Sequence, residues 1–340
     1  MRAYAWLLCF VLAVCVTACG QAPEARQDGA TRIVFVTDWK AQAEHGGFYQ
    51  ALAEGLYAAR GLDVVIRPGG ASVNVPQLLA GNAADFGMGS NGFIPLNMTH
   101  EGVKAKAVMA VFQKDPQVLV THPRDDIRSI ADMKGKPILI GDASTVTFWP
   151  WLRAKFGFND TQIRKYTFNL APFLIDKTAI QEGYLTSEPF LIEREGKFVP
   201  KVFPLADAGY PGYANMVMVP TRWIEERPEA VQAFVDASIE GWMHYLYVDP
   251  ALGNALILRD NPEMTDEVIL QAIEKMKSYG MALSGDAERL GLGAMTEARW
   301  REFFEVMRDQ GLYKPDFPYT EAFTLSFVNK GVGLPAAKVQ

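Results

Sequence analysis

Residues 37–66 read TDWKAQAEHGGFYQALAEGLYAARGLDVVI, and their pattern indicates the fold class. It follows an apolar run at residues 33–36, IVFV, which is hydrophobic on both faces as a buried parallel strand is. Residues 48–59 carry an apolar stripe at helical spacing, and Gly61 is typical of a helix end. Residues 62–66 then begin the next strand. A strand, loop, helix and strand in this order predict an open α/β sheet.

The loop between this strand and helix is the candidate binding site. Within ten residues it contains Asp38, Trp39, Glu44, His45 and the pair Gly46-Gly47. Loops at the carboxyl ends of parallel strands bind ligands in open α/β sheets, and glycines let backbone N–H groups approach a ligand. Trp39 offers a ring for stacking, and His45 offers a hydrogen-bonding group. Three alternatives stay open: Trp39 covers the core, His45 starts the helix, and Asp38 caps a turn.

The composition is that of an ordinary globular protein. The 340 residues are 49% hydrophobic and 21% charged, which suits one or two domains with their own cores. A net charge of −6 without a basic stripe argues against a nucleic-acid partner. The chain has no HxxxH, CxxC, GxSxG or GxxxxGK[ST] pattern. We therefore expect no metal, no cofactor and no catalytic residues.

The N-terminus has the pattern of a bacterial lipoprotein signal. Arg2 precedes an apolar run that is short for a membrane-spanning helix. Val16-Thr17-Ala18-Cys19 resembles a lipobox, which predicts a signal peptide at residues 1–18 and a lipid on Cys19. The other two cysteines lie inside this signal, so no disulfide is expected. Residues 19–30 are predicted to be a flexible tether. An uncleaved N-terminal anchor is the alternative.

Further polar residues follow predicted strands along the chain. They are Ser90 with Asn91, Ser144 with Thr145, and Glu188. Ser90 and Asn91 either cap the next helix or donate to a ligand. We expect the proline after Glu188 to hold this residue in an extended conformation at a strand end.

The second half of the chain changes from alternating elements to helices alone. Residues 173–182 are predicted to be a helix that still belongs to the α/β series. Beyond residue 223 one helix begins at Pro228, and two more are capped by Thr265 and Thr296. The chain therefore reads as two α/β units in series followed by a helical return.

Several patterns together are similar to the solute-binding proteins of ABC importers. They are the lipobox, the two α/β units, DW…HGGFY at residues 38–49, GNAADFG at residues 81–87 and TSEP at residues 186–189. Over residues 31–327 the chain resembles the nitrate, sulfonate and thiamine-precursor branch, the SsuA/THI5-like or NMT1-like family. The first loop is most similar to receptors for thiamine pyrimidine precursors or flavins. The yeast-type pyrimidine synthase shares this likeness, but its cysteine-rich iron-binding motif is missing here, which argues against its chemistry.

This resemblance implies an α/β type II periplasmic-binding-protein fold, with two lobes joined by crossing strands and a ligand cleft between them. Lobe 1 would hold residues 31–115 and 216–340, and lobe 2 residues 116–215. Carried over by position, the ligand-binding residues would be Asp38, Trp39, His45, Ser90, Asn91, Ser144, Thr145, Glu188 and Tyr213. The implied partners are a small-molecule ligand, an ABC permease and, through Cys19, a membrane. The protein would be a monomeric, exported lipoprotein of the periplasm or cell surface.

The charges of the predicted site residues restrict the class of ligand that such a receptor could bind. If Asp38 and Glu188 both face the cleft, they disfavour an anion, because like charges buried together are costly. We therefore expect a small planar heterocycle that is neutral or cationic or carries N–H donors, similar to a thiamine pyrimidine precursor or a flavin. One alternative is the same receptor class with an alkanesulfonate, nitrate or another organic anion. The other is a secreted sensor or enzyme on the same fold.

Overall fold

The computed structural model describes residues 29–332 and 334. The predicted signal peptide, Cys19 and most of the predicted tether lie outside these residues. Ten strands are formed in the described part: β1 Thr31–Val36, β2 Leu62–Arg67, β3 Phe86–Asn91, β4 Ala105–Phe112, β5 Gln117–Thr121, β6 Ile138–Ile140, β7 Ile163–Lys165, β8 Ile180–Tyr184, β9 Lys201–Pro204 and β10 Ala214–Pro220.

The helices of the same described residues alternate with these strands and then follow them. The α-helices are α1 Gly46–Ala53, α2 Val75–Ala80, α3 Phe93–His100, α4 Phe148–Phe156, α5 Ala171–Ile175, α6 Glu188–Gly196, α7 Thr221–Glu226, α8 Pro228–Tyr247, α9 Ala251–Asp260, α10 Asp266–Ser278, α11 Ala287–Leu290 and α12 Glu297–Asp309. Short 3-10 helices span Ala43–His45, Ala58–Arg60, Ile130–Met133, Asp142–Val146, Asp160–Gln162 and Tyr319–Ala322.

The strands form two sheets with the same design. The first has the order β2-β1-β3-β10-β4, and the second has the order β7-β6-β8-β5-β9. In the first sheet β1 is parallel to β2 and β3, while β10 is antiparallel to β3 and β4. In the second sheet β6 is parallel to β7 and β8, while β5 is antiparallel to β8 and β9. The chain enters the second sheet at β5 and returns to the first sheet at β10, and in each sheet this entering strand is the antiparallel one. The predicted pair of α/β lobes is therefore confirmed.

The C-terminal helices return to the first sheet and pack on α1. A Cβ on Gly46 would stand 2.0 Å from the Tyr245 ring of α8, and one on Gly47 would stand 2.1 Å from its Trp242 ring. Only glycine permits this close approach. The expectation that this glycine pair opens the backbone to a ligand is therefore wrong, because the pair lets two helices pack. In the described residues no helix has the length and apolar character that a membrane crossing requires.

Three local predictions from the sequence also need correction. The first helix ends at Ala53 rather than at Gly61, because Gly55 adopts a left-handed conformation with φ of 72°. Residues 176–182 are not helical, since β8 takes Ile180–Tyr184. Glu188 is not extended at a strand end but is the first residue of α6, where the following proline suits the first helical turn.

Both segments that connect the two sheets are held by Arg299 on α12. One crossing runs from β4 to β5 and the other from β9 to β10. The Arg299 guanidinium donates to the carbonyl of Gln113 in the first crossing, and to those of Pro211 (3.0 Å) and Gly212 (3.2 Å) in the second. It also lies 4.3 Å from the centre of the Tyr213 ring. The planar fork of an arginine can bind several carbonyls at once, so one side chain fixes both crossings.

Candidate ligand cleft

The lobe 1 face of the cleft is built on the loop after β1. The Thr37 hydroxyl donates to the Trp39 carbonyl over 2.8 Å, and the Gly69 N–H donates to both Thr37 Oγ1 and the Trp39 carbonyl. Asp38 Oδ1 lies 3.2 Å from His45 Nε2, while its Oδ2 accepts a 2.5 Å hydrogen bond from the Ser90 hydroxyl. Both oxygens of Asp38 are therefore engaged. Neighbouring parallel strands bring these residues together, because Ser90 lies at the carboxyl end of β3 and β3 pairs with β1.

The lobe 2 face comes from four separate segments. Glu188 accepts hydrogen bonds from the Tyr166 hydroxyl (3.2 Å) and the Tyr184 backbone N–H (2.7 Å), one on each oxygen. Glu182 on β8 accepts a 2.9 Å hydrogen bond from the Gly141 N–H. Two carboxyl groups of lobe 2 thus lie side by side, each held by groups of its own lobe.

Two aromatic rings meet where the lobes face each other. The centres of the Trp39 and Phe168 rings are 5.0 Å apart with an interplanar angle of 52°. The Phe168 ring also lies 5.2 Å from that of Tyr166. Phe168 is 54% exposed and has φ of 60°, which is rare for a bulky side chain. Such an exposed, strained residue is typical of a functional site.

A second contact joins the lobes deeper in the cleft. The Thr186 hydroxyl, just after β8, donates to the buried carboxyl of Glu44 in lobe 1. The Glu44 carbonyl accepts from the Asn215 side chain, and the Thr186 carbonyl accepts from Gln271 on α10. Both side chains of this contact are almost fully buried, since Glu44 is 4% and Thr186 1% exposed. The two lobes are therefore in direct polar contact at this point.

Burial shapes the electrostatics of the cleft. Burial raises the pKa of Glu44, whose carboxyl is stabilised in the charged form by Thr186 and His45. Burial also raises the pKa of Glu188, and it raises the pKa of Glu182 to about 7. Within the described residues, no lysine or arginine contributes to the pKa shifts of Glu44, Glu182 and Glu188. The one basic side chain that contributes is His45, which acts on Glu44. The cleft is therefore rich in carboxyl groups and poor in cations.

The predicted site residues fall into two groups. The structure brings together Asp38, Trp39, His45, Ser90 and Glu188, and it places the buried Ser144 against the carboxyl of Glu182. It gives the other three different surroundings: the Asn91 side chain accepts from the Phe93 N–H at the start of α3, the Thr145 hydroxyl donates to the Asp142 carbonyl, and the Tyr213 hydroxyl bonds to Asp286 and to the Thr296 N–H.

The sequence prediction did not select Glu182, Tyr166 or Phe168. Glu182 was missed because its segment was predicted to be helical. The other two were missed because aromatic residues alone do not distinguish a cleft from a core. An aromatic residue that follows a strand and precedes Asn169-Leu170 carries no local signal of its own.

Two α/β lobes with a cleft of aromatic and carboxyl side chains define a two-lobed solute-binding protein of the type II fold. The family profile described as NMT1/THI5 like matches residues 42–251, which is more than half of the chain. The chain therefore belongs to the NMT1/THI5-like family of solute-binding proteins.

Individual relatives agree with this assignment. The riboflavin-binding protein RibY of Chloroflexus aurantiacus is 26% identical over 91% of this chain and 89% of its own length. The formylaminopyrimidine-binding protein of Halalkalibacterium halodurans is 25% identical over 83% of this chain and 89% of its own length. Among solved structures, the periplasmic aliphatic sulphonate binding protein SsuA of Escherichia coli has a TM-score of 0.66 at 12% identity and covers 92% of this chain and 96% of its own.

The same fold also occurs in an enzyme. A mutant of the desulfurization enzyme DSZB, in complex with biphenyl-2-sulfinic acid, has a TM-score of 0.56 at 11% identity, covering 88% of this chain and 98% of its own. At such low identities these two solved structures show the fold alone.

Proposed function

We propose that this protein is the extracytoplasmic solute-binding component of an ABC importer, and that its cargo is a small planar heterocycle similar to a thiamine pyrimidine precursor or a flavin. The observation that carries the proposal is the pair Trp39 and Phe168, which bridges the lobes beside carboxyl groups of both. Aromatic faces bind planar rings, and a few polar groups at the edge of a pocket fix a ligand's orientation. Asp38, His45 and Ser90 on lobe 1 and Glu188 on lobe 2 lie next to this pair and would line the cleft around the ligand.

The charge of the cleft favours a heterocycle over an anion. An alkanesulfonate or nitrate would meet the buried carboxyl groups of Glu44 and Glu182 and the half-buried one of Glu188, and burying like charges together is unfavourable. A ring with N–H donors would instead give those oxygens hydrogen bonds. Two relatives are named for nitrogen-containing planar ligands, riboflavin and formylaminopyrimidine, which agrees with this choice. An organic anion remains the second candidate, because the SsuA structure shares the fold.

The same comparison supports transport rather than catalysis. Both relatives that align over most of the chain are named as binding proteins. We propose that the chain delivers its ligand to the transmembrane subunits of a permease as a monomer, anchored to the membrane by a lipid on Cys19. Hinge closure between a lobe of residues 31–115 and 216–340 and a lobe of residues 116–215 would enclose the ligand.

A thermal-shift panel tests this function on the purified protein. The panel holds 4-amino-5-hydroxymethyl-2-methylpyrimidine, thiamine, riboflavin, purines, taurine, alkanesulfonates and nitrate. A ligand at about 100 times its Kd adds about 2.7 kcal/mol to the free energy of unfolding, which raises the midpoint by several degrees. We expect a shift with a pyrimidine or a flavin. A shift with taurine, alkanesulfonates or nitrate alone would assign an anionic cargo and contradict the proposal.

A further inference from the structure

Glu182 differs from Asp38 and Glu188 because one of its carboxyl oxygens has no hydrogen-bond partner in the described residues. Its side chain is only 5% exposed. One oxygen, Oε1, accepts from the Gly141 N–H, while Oε2 is buried and has no hydrogen-bond partner in the described residues. The nearby Ser144 hydroxyl favours the charged carboxyl, but it does not reach hydrogen-bonding geometry with Oε2. A buried polar atom without a partner is costly, on the order of 1–3 kcal/mol, and a ligand that donates to Oε2 would remove this cost.

Glu182 shares its side of β8 with a residue that lies close to lobe 1. Glu182 and Tyr184 are two positions apart on β8, so their side chains share one face of the strand. Burial first, and then the charges of Asp115, Asp38 and Glu44 among others, raise the pKa of Tyr184, so Tyr184 lies within electrostatic reach of the lobe 1 carboxyl groups.

Glu182 is also close to the aromatic pair. Its Oε1 and the Cζ atom of Phe168 would stand 2.7 and 3.6 Å from a Cβ on Gly141, so the carboxyl and the ring converge on one point. Phe168 in turn packs on Trp39. A planar ring seated against these aromatic side chains would therefore present its edge to Glu182.

Glu188, the residue that the sequence singled out, has less to offer a ligand. Each of its oxygens already accepts a hydrogen bond, one from Tyr166 and one from the Tyr184 N–H. Asp38 on lobe 1 is engaged in the same way by His45 and Ser90. Among these three carboxyl groups, Glu182 alone combines near-complete burial with an unpaired acceptor.

We propose that Glu182 is the lobe 2 residue that determines ligand specificity. Its Oε2 would accept a hydrogen bond from an N–H group on the edge of the heterocycle. This inference rests on the proposed function, since it assumes a planar ring in the cleft. It makes an exocyclic amino group or a ring N–H the feature that the receptor selects. Glu188 then orients Tyr166 and the end of β8 instead of choosing the cargo.

Two pairs of ligands and one isosteric substitution test this role. The pairs are 4-amino-5-hydroxymethyl-2-methylpyrimidine with its analogue lacking the 4-amino group, and riboflavin with N3-methylriboflavin. The substitution is Glu182→Gln, whose carbonyl can still accept from the Gly141 N–H, so that its NH2 group replaces Oε2. Isothermal titration calorimetry at pH 8 gives the Kd of each combination. Glu193→Gln, on the exposed surface of α6, is the matched control.

The wild-type protein should bind one of the two ligand pairs. Within that pair, we expect the Kd of the member with the N–H group to be at least tenfold lower than that of the member without it. Glu182→Gln should weaken binding of the member with the N–H group by at least tenfold and reduce the preference to within threefold, while Glu193→Gln changes neither. The melting temperature without ligand reports whether Glu182→Gln is folded.

Three results would overturn the inference. The first is equal wild-type affinity for both members of the pair, which needs no variant at all. The second is an unchanged preference in Glu182→Gln, especially if Glu188→Gln abolishes it. In both cases a heterocycle still binds, so the proposed function survives. The third is no wild-type binding of either ring system, which removes the proposed function together with this role of Glu182.

Discussion

The two faces of the cleft differ in how their carboxyl groups are paired. On lobe 1, both carboxylate oxygens of Asp38 are engaged, one by His45 and one by Ser90, while the buried His45 Nδ1 has no hydrogen-bond partner in the described residues. On lobe 2, one buried oxygen of Glu182 has no partner within the part of the chain that the structure describes. A carboxylate whose two oxygens are both bonded is held in place, so it supports the position of Trp39 for stacking and leaves no oxygen of its own unpaired. A face with an unpaired acceptor discriminates, because only a ligand with a matching donor removes its cost.

Of the effects that we predict, the greatest is that of Glu182→Gln on the pH dependence of the free energy of unfolding. Burial raises the pKa of Glu182 to about 7 in the folded protein, above its value of 4.5 in an unfolded chain. The folded state therefore binds the proton more tightly, so the free energy of unfolding falls as pH rises from about 4.5 through 7. Glu182→Gln removes this contribution. At about 1.4 kcal/mol per pKa unit, the variant should gain on the order of 2 kcal/mol relative to wild type between pH 5 and pH 8.

Urea unfolding at both pH values measures this gain. Asp115, whose pKa burial also raises to about 7, contributes the same slope to both proteins and cancels in the comparison. The exposed variant Glu193→Gln should follow wild type. If the stability curves of Glu182→Gln and wild type run parallel, the buried carboxyl does not ionise as described, and the contrast between the two faces is lost.

The second expected effect separates the two rings that bridge the lobes. Replacing Trp39 by Ala should weaken ligand binding at least tenfold, about 1.4 kcal/mol, because the ligand loses a stacking face. Phe168→Ala should weaken it less, since Phe168 is more than half exposed and buries less area. Calorimetry gives both Kd values, and circular dichroism checks the fold. An unchanged Kd in Trp39→Ala would show that Trp39 does not contribute to ligand binding.

The smallest expected effect on binding is that of Tyr213→Phe. The Tyr213 hydroxyl donates to Asp286 over 2.7 Å and accepts from the Thr296 N–H over 3.0 Å, away from the cleft residues. Its loss should destabilise the protein by about 1 kcal/mol and leave the Kd within twofold of wild type. A melting curve and a titration on the same preparation measure both quantities. A tenfold weaker Kd would return Tyr213 to the ligand contacts predicted from sequence.

Much of the architecture could be read from local patterns. The apolar run of β1, the start of α8 at Pro228 and the caps at Thr265 and Thr296 are all found where the sequence predicts them. These signals are local, because an apolar run, a proline or a capping side chain acts within one turn or strand. The first loop was singled out for the same reason, since its chemistry is concentrated in a few residues.

The lobe 2 face could not be read in this way. Gln181 and Glu182 are buried polar residues in β8, so the strand shows no alternation of apolar and polar positions. The Gly46-Gly47 pair was misread because its partners, Trp242 and Tyr245, lie some 200 residues away in sequence. In both places the decisive contacts are tertiary, and no short window of sequence contains them.

Arg299 has a consequence for how the lobes move. One guanidinium binds carbonyls of both crossings, at Gln113 and at Pro211 and Gly212. The lobe 1 ends of the two segments therefore keep a constant spacing, and bending is left to the residues on the lobe 2 side of that point. We therefore expect the lobes to open and close by rotation about one common axis, instead of independent flexing of two linkers.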